Sequence, residues 1–223
     1  MKTSQPTVQV ELHLHSCYSH DSLMPLEKMI ERAREIGLDH LAVTDHNVLE
    51  GALAAKKLAP DLIIVAEEIQ TTRGEFLGYF MTEVVPEGLT PKETIERLKA
   101  QGAVISVAHP FDSRGNEPWG WDELAEFAPD LDAVEVFNAR CLTREINDKA
   151  KAFAEAFGLA CAAGSDAHSI GEIGTATLKL PAFQTADEFR EALKTAEVNG
   201  RLSSPAVHLI SRHAEMLKKI QHS

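Results

Sequence analysis

The feature that most constrains this chain is an alternation. Short runs rich in Val, Ile and Ala recur along its length, each separated from the next by a stretch with helical spacing. Such a pattern belongs to α/β folds, in which crossover helices return the chain so that successive strands lie parallel. The runs predict strands at Val8–His13, His40–Thr44, Leu62–Ala66, Val104–Ala108, Ala133–Phe137, Leu159–Ala163 and Thr175–Leu180, with a further candidate extended segment at Phe76–Met81. Helix signals lie between them. Pro25 stands at a first-turn position and Gly37 at a stop, while Thr90 with Glu93, and Thr185 with Glu188, have the capping-box spacing. Helical patterns also run near Leu49–Leu58, Trp121–Phe127 and Thr143–Phe157. Seven such units in 223 residues predict a closed or nearly closed barrel, with an open doubly wound sheet as the alternative. No GxGxxG or GxxxxGK[ST] follows any strand, which argues against nucleotide folds that cradle phosphate in a glycine loop. The length suits one domain. We therefore expect a single unit over residues 1–223, with the barrel in about 8–200 and a closing helix in about 207–220.

Charge narrows the partners. A formal net charge of −12 disfavours a stable nucleic-acid complex held through many phosphate contacts and favours small substrates. Bound divalent cations would still make one pocket positive on an acidic body. The three cysteines, Cys17, Cys141 and Cys161, form no CxxC or CxxH pair, so neither a disulfide framework nor a thiolate zinc site is expected. No apolar run approaches the roughly 18–20 residues that cross a bilayer. Residues 1–10 also lack a continuous apolar secretory segment, and the expectation is a cytoplasmic protein without membrane contact.

The chemistry is concentrated at the strand ends. His13 and His15 close the first predicted strand, Asp45 and His46 the second, Glu67 and Glu68 the third, His109 the fourth, Asn138 the fifth, Asp166 and His168 the sixth. In a parallel α/β barrel these ends open on one face, so residues some 150 positions apart in sequence are expected to converge. Imidazole and carboxylate donors suit Zn²⁺, Mn²⁺ or Fe²⁺. In His13-Leu14-His15 the two imidazoles, two residues apart on a strand, point to one face and can share an ion. His40, His208, His213 and His222 fall outside the pattern and are read as surface or core residues.

The segments His13-Leu14-His15-Ser16, Thr44-Asp45-His46-Asn47, Ala108-His109-Pro110-Phe111 and Gly164-Ser165-Asp166-Ala167-His168, in this order, resemble the successive motifs of the PHP (polymerase and histidinol phosphatase) family. The likeness spans about residues 8–180 and is closest to the small single-domain branch of metal-dependent phosphoesterases. It implies a distorted, TIM-like, seven-stranded (β/α)7 barrel with two or three divalent metal ions (Mn, Zn or Fe). Carried over residue by residue, His13, His15, Glu68 and Asp166 would hold one metal, and Asp21, His46 and His168 a second, with Glu68 able to bridge. Asp21 and His20 compete for one place, His20 being the ligand or a general acid. Glu68 is preferred to Glu67, which is expected in or behind the sheet. His109 would serve a third metal, but Asn138 stands where relatives have a histidine, and Phe76 follows Gly74-Glu75 where some relatives have another.

The resemblance implies hydrolysis of a phosphate ester of a small metabolite or nucleotide through a metal-bridged hydroxide. Asp166 would take the proton from the attacking water, and His20 or His168 would assist the leaving group. Arg140 and Arg114 are the candidate phosphate forks. Asp45 and Asn138 are expected to steady ligands from behind. Trp119 and Trp121 either wall the pocket or pack their loop. Three other functions compete: an exonuclease on short oligonucleotides, a catalytically lapsed metal-binding regulatory protein, and an amide hydrolase. The last is disfavoured because no lysine lies at a strand end to bridge two metals.

Overall fold

In a computed structural model, residues 6–114 and 117–221 are described; His222 lies outside them. The strands are β1 (Thr7–Glu11), β2 (His40–Val43), β3 (Ile63–Gln70), β4 (Glu75–Tyr79), β5 (Val104–Val107), β6 (Ala133–Asn138), β7 (Ala160–Gly164), β8 (Ala176–Pro181) and β9 (Glu197–Gly200). The helices are α1 (Leu26–Glu35), α2 (Glu50–Leu58), α3 (Pro91–Ala100), α4 (Trp121–Ala125), α5 (Arg144–Phe157), α6 (Ala186–Leu193) and α7 (Val207–Gln221). The caps form as their sequences require: Thr90 and Glu93 make a reciprocal capping box at α3, and the Thr185 hydroxyl accepts from the Glu188 amide at α6.

Among the described residues, the nine strands form one sheet in the order β7-β6-β5-β4-β3-β2-β1-β8-β9. The α/β, barrel-like character agrees with the alternation, but the strand set departs from seven parallel units. Pairs β1–β2, β2–β3, β5–β6 and β6–β7 are parallel, whereas β3–β4, β4–β5, β1–β8 and β8–β9 are antiparallel. For β4 the reason is connection length. β4 follows β3 through a tight turn at residues 71–74, with Gly74 at φ 71°, and a hairpin turn reverses the chain where a crossover helix would have preserved its direction. The extended segment near Phe76 is thus an integral strand. β9 has only Val198 as an apolar residue and lies largely exposed, so it carried no periodic signal.

The sheet curls until its ends nearly meet. The His15 amide donates to Ala167 O (2.9 Å) and the Asp166 amide to His13 O (2.8 Å), stitching the segment after β1 to the segment after β7. Thr44 completes the seam: its amide donates to Leu14 O and its hydroxyl accepts from the Leu14 amide, each at 3.0 Å. Gly164 makes the closure possible, because a Cβ there would stand 2.2 Å from the His13 Cβ.

Strand alternation sorts two cores. Val10, Leu12, Ala42, Ile64, Ala66, Leu77, Tyr79 and Leu178 fill the inside of the curl, where Phe183, Phe189 and Leu193 of the β8–α6 segment join them. Leu41, Val43, Ile63, Ile105 and Val134 point outward against Met29, Ala52, Leu98 and Phe153 of the surrounding helices. A period of two residues then decides where charges go. Glu68 shares the inward parity of Ile64 and Ala66, and Glu135 that of Ala133, so both carboxylates face the interior at its open end. Among the described residues no helix is long and apolar enough to cross a membrane.

Candidate metal centre

At the open end of the curl, Glu68 is the hub. Its fully buried carboxylate meets four imidazoles: His13 Nε2 at 3.1 Å, His15 Nε2 at 3.3 Å, His46 Nδ1 at 3.1 Å and, on the other oxygen, His109 Nε2 at 3.1 Å. Asp166 Oδ1 stands 3.1 Å from His15 Nε2 and 3.8 Å from His13 Nε2. On the other side of His15, Asp21 Oδ2 lies 2.6 Å from His168 Nε2 and 3.6 Å from His46 Nε2. Four overlapping groups bring ligand atoms within 4.8 Å of one another: His13/His15/Asp166, His15/Asp21/His46/His168, His13/Glu68/His109 and His46/Glu68/Glu75.

Apart from the Asp21–His168 hydrogen bond, these spacings fit cations. Donors about 2.1 Å from one ion, at a tetrahedral angle, stand about 3.4 Å from each other. His13 Nε2 and His15 Nε2 face each other at 3.2 Å, while the Glu68 Oε2 atom and His15 Nδ1 are buried with no hydrogen-bond partner among the described residues. Buried polar atoms left without a hydrogen-bond partner inside such a cluster are poorly explained as packing and well explained as part of an open donor set.

The electrostatics follow from the crowding. Burial opposes an imidazolium at His13, but Glu68, Glu135 and Asp166 outweigh it and lift the pKa well above the ordinary histidine value. The same contest, with burial opposed chiefly by Glu68, raises His46 and His109 to about 10. His168 moves the other way, to about 4, because burial and then His15 oppose its charge. Burial would raise the carboxyls of Glu68 and Asp166, yet the surrounding imidazoles, His13 first, hold both well below the carboxylate range.

Backbone strain gathers here too. Asp166 (φ 54°) and His109 (φ 23°) lie in the left-handed half of conformational space that side chains avoid, and the surrounding hydrogen bonds hold them there.

The residues that the sequence left competing take different positions. Glu68 faces in, whereas Glu67 faces out and accepts the Val85 amide at 3.0 Å. Asp21 enters a donor group and is oriented by the Ser19 hydroxyl at 2.7 Å; His20 stands at the rim with its ring 5.0 Å from that of His46. Asp45 does not reach the cluster but holds the loop carrying Asp21, accepting both the amide and the hydroxyl of Ser16 at 2.6 Å. Asn138 donates to Glu135 Oε2 at 3.2 Å and Asp166 Oδ2 at 3.3 Å.

The arginines differ from expectation. Arg140 lines the cavity, yet its guanidinium is directed to protein: Nη1 lies against His168 Nδ1, Nη2 donates to Val207 O and Ser211 Oγ at 3.0 Å each, and Nε is 3.3 Å from Glu172. Most of its donors are thus turned toward protein groups. Arg114 is engaged by Asp112 and His208 but is more open to solvent. Neither tryptophan walls the cavity. Trp119 is buried against Phe76 and Phe127, and Trp121 stacks on Phe111 and packs on Phe153.

Sequence reasoning missed two carboxylates and one helix face. Glu135 sits 2.8 Å from His13 Nδ1 and accepts the His109 amide at 2.8 Å; a lone charge in the apolar run Ala133–Phe137 was the available signal. Glu75 opens β4 and brings Oε2 within 3.7 Å of His109 Nε2. His208, Ser211 and Arg212 of α7 line the same cavity of about 800 Å³, and no strand-end rule points to them.

Comparison with known proteins agrees with this geometry. The PHP domain profile matches residues 11–85 and the PHP-associated profile residues 144–198. An uncharacterised protein of Methanocaldococcus jannaschii is 40% identical over 178 residues, covering 77% of this chain and 70% of the relative. A crystal structure of a two-domain protein from Bacteroides vulgatus, described as containing a predicted PHP-like metal-dependent phosphoesterase, superposes with TM-score 0.74 at 18% identity over 95% of this chain and 71% of that one. A lesion-specific endonuclease from Pyrococcus furiosus superposes with TM-score 0.63 at 19% identity over 86% of this chain and 58% of that one. With the motifs in order, a relative of this similarity and the donor cluster at the mouth of the curl, the chain belongs to the PHP family.

Proposed function

We propose that the protein is a metal-dependent phosphoesterase acting on a small phosphorylated metabolite or nucleotide. The observation that carries the reading is Glu68, a buried carboxylate shared by four imidazoles. His13, His15, Glu68 and Asp166 would hold one divalent cation, and Asp21, His46 and His168, with His15 alongside, a second. His109 with Glu68 and Glu75 would hold a third, Glu75 standing in for the histidine that Asn138 does not supply. Such cations, when bound, lower the pKa of water toward neutrality and neutralise phosphoryl charge.

The chain's own groups do the rest. Asp166, whose Oδ1 faces His13 and His15, would accept a proton from attacking water. His20, at the rim, is the candidate to return one to the departing alkoxide. Glu135 fixes His13 through Nδ1, leaving Nε2 free to face the centre. At the mouth Arg114 and Arg212 are the cations able to meet a phosphate, while Arg140 is committed elsewhere. A cavity of about 800 Å³ has the size of small-molecule sites, which run to roughly 1,000 Å³. That size and the charge of −12 favour a small ester over a polymer.

The test is hydrolysis of p-nitrophenyl phosphate and of its bis ester by Mn²⁺-loaded protein, with metal content measured alongside. Two or more equivalents with turnover on either ester support the reading, and a well-folded protein that takes up less than one equivalent overturns it. Release of mononucleotides from a labelled oligomer would move the assignment to a nuclease.

A further inference from the structure

Helix α7 lies beyond the spans that both family profiles match, and it is held in an unusual way. A helix normally docks by burying an apolar stripe. Of the side chains on α7, Ala214 is buried, whereas Leu209, Ile210, Met216 and Ile220 are 67%, 44%, 52% and 66% exposed. What holds the helix is a set of polar ties, and two of them lead to the same pair of site residues. At its first turn, Arg140 binds Val207 O and Ser211 Oγ with one end of its guanidinium and lies against the His168 ring with the other. Near its last turn, the Lys218 ammonium donates to Cys17 O at 2.6 Å and to Ser19 O. Ser19 is the residue whose hydroxyl orients Asp21, and Asp21 and His168 face each other at 2.6 Å. The helix thus spans both sides of the Asp21–His168 pair.

We propose that α7 is a brace coupled to cation binding, with Lys218 and Arg140 as positioning residues: its docking keeps Asp21 and His168 side by side, where one cation can replace the hydrogen bond between them, and a cation held there keeps α7 docked. This rests on the reading that Asp21, His46 and His168 hold a metal. The coupling is reciprocal by linkage, since whatever the helix adds to affinity the ion must return as protection of the helix. A segment with so little buried apolar surface opens locally at low free energy, so the returned stabilisation is measurable. The consequence for function is that the site is complete only with α7 down, which is also the state in which His208, Ser211 and Arg212 wall the cavity.

Hydrogen exchange of residues 207–221 in the full chain, with and without saturating Mn²⁺, tests the ion-to-helix direction. Mn²⁺ titration calorimetry of Lys218→Met tests the reverse. We expect exchange in α7 to slow by about tenfold with Mn²⁺. Lys218→Met should weaken one class of bound Mn²⁺ by about tenfold, the scale of a lost charge-assisted hydrogen bond, with Lys218→Arg restoring most of the affinity. Identical α7 exchange with and without Mn²⁺ in a protein that binds two equivalents overturns the brace and leaves the metal reading intact, as does wild-type affinity in Lys218→Met. Less than one equivalent bound by the wild type, or unchanged stoichiometry in His46→Ala, overturns the metal reading and the brace with it.

Discussion

At the residue scale the centre is a set of charges that the fold tolerates because they face one another. Replacing His13 by Ala, or Asp166 by Asn, removes a donor from the first cation group. Turnover should fall by at least about 100-fold, the usual scale for a group acting on the reacting atoms, while far-UV circular dichroism stays native. A variant keeping half its activity would contradict the assignment. Glu75→Gln should leave two tight Mn²⁺ equivalents and abolish a third, weaker one, read by calorimetry; three equivalents of unchanged affinity would remove Glu75 from the donor set. Glu11 carries a different prediction. Its carboxyl is fully buried behind the site, accepting from Gly174 N and meeting the Ser165 hydroxyl, and burial lifts its pKa to about 8 against an ordinary 4.5. The folded state therefore binds the proton more tightly than the unfolded state. Its contribution to stability is full below about pH 4.5 and is lost as pH rises through about 8. Glu11→Gln should flatten that part of the stability–pH curve, and parallel curves for the two proteins in urea unfolding would refute the raised pKa.

At the scale of elements, what matters is how strand ends are closed. The seam between the segments after β1 and after β7 depends on Gly164, and Gly164→Ala forces a Cβ into the His13 side chain. Overpacking of this kind costs about 1–3 kcal/mol. The expected result is a lowered Tm together with weakened Mn²⁺ binding, because the clash falls on a donor residue; a variant with wild-type Tm and metal content would mean that the seam relaxes freely. The alternation of β3 shows how much was legible beforehand. Glu67 and Glu68 are indistinguishable as letters, but a strand that extends through Gln70 puts them on opposite faces, and the inward parity of Ile64 and Ala66 selects Glu68. Glu135 was readable on the same grounds once β6 was accepted as a strand buried on both faces.

For the whole molecule, the donor cluster links cation binding to folding. Carboxylates and imidazoles brought together by nine strands have no such proximity in the unfolded chain, so a bound ion stabilises the folded state almost selectively. Saturating Mn²⁺ at about 100 times its Kd should add roughly 2.7 kcal/mol per independent site, seen as a rise in Tm that a chelator reverses. A Tm indifferent to both Mn²⁺ and chelator would count against the centre as a whole.

The sequence by itself determined the α/β class, nearly every strand and helix, and most of the histidines and carboxylates that converge, because hydrophobic period and capping are local and because histidines recurring at strand ends are conspicuous in one dimension. Only the tertiary structure decided which carboxylates turn inward, that β4, β8 and β9 run against their neighbours, that Arg140 reaches across to α7 and that α7 lines one side of the cavity. Those outcomes depend on which segments become neighbours in space, and sheet order and the packing of a helix over a distant loop are set by long-range closure that no local period encodes.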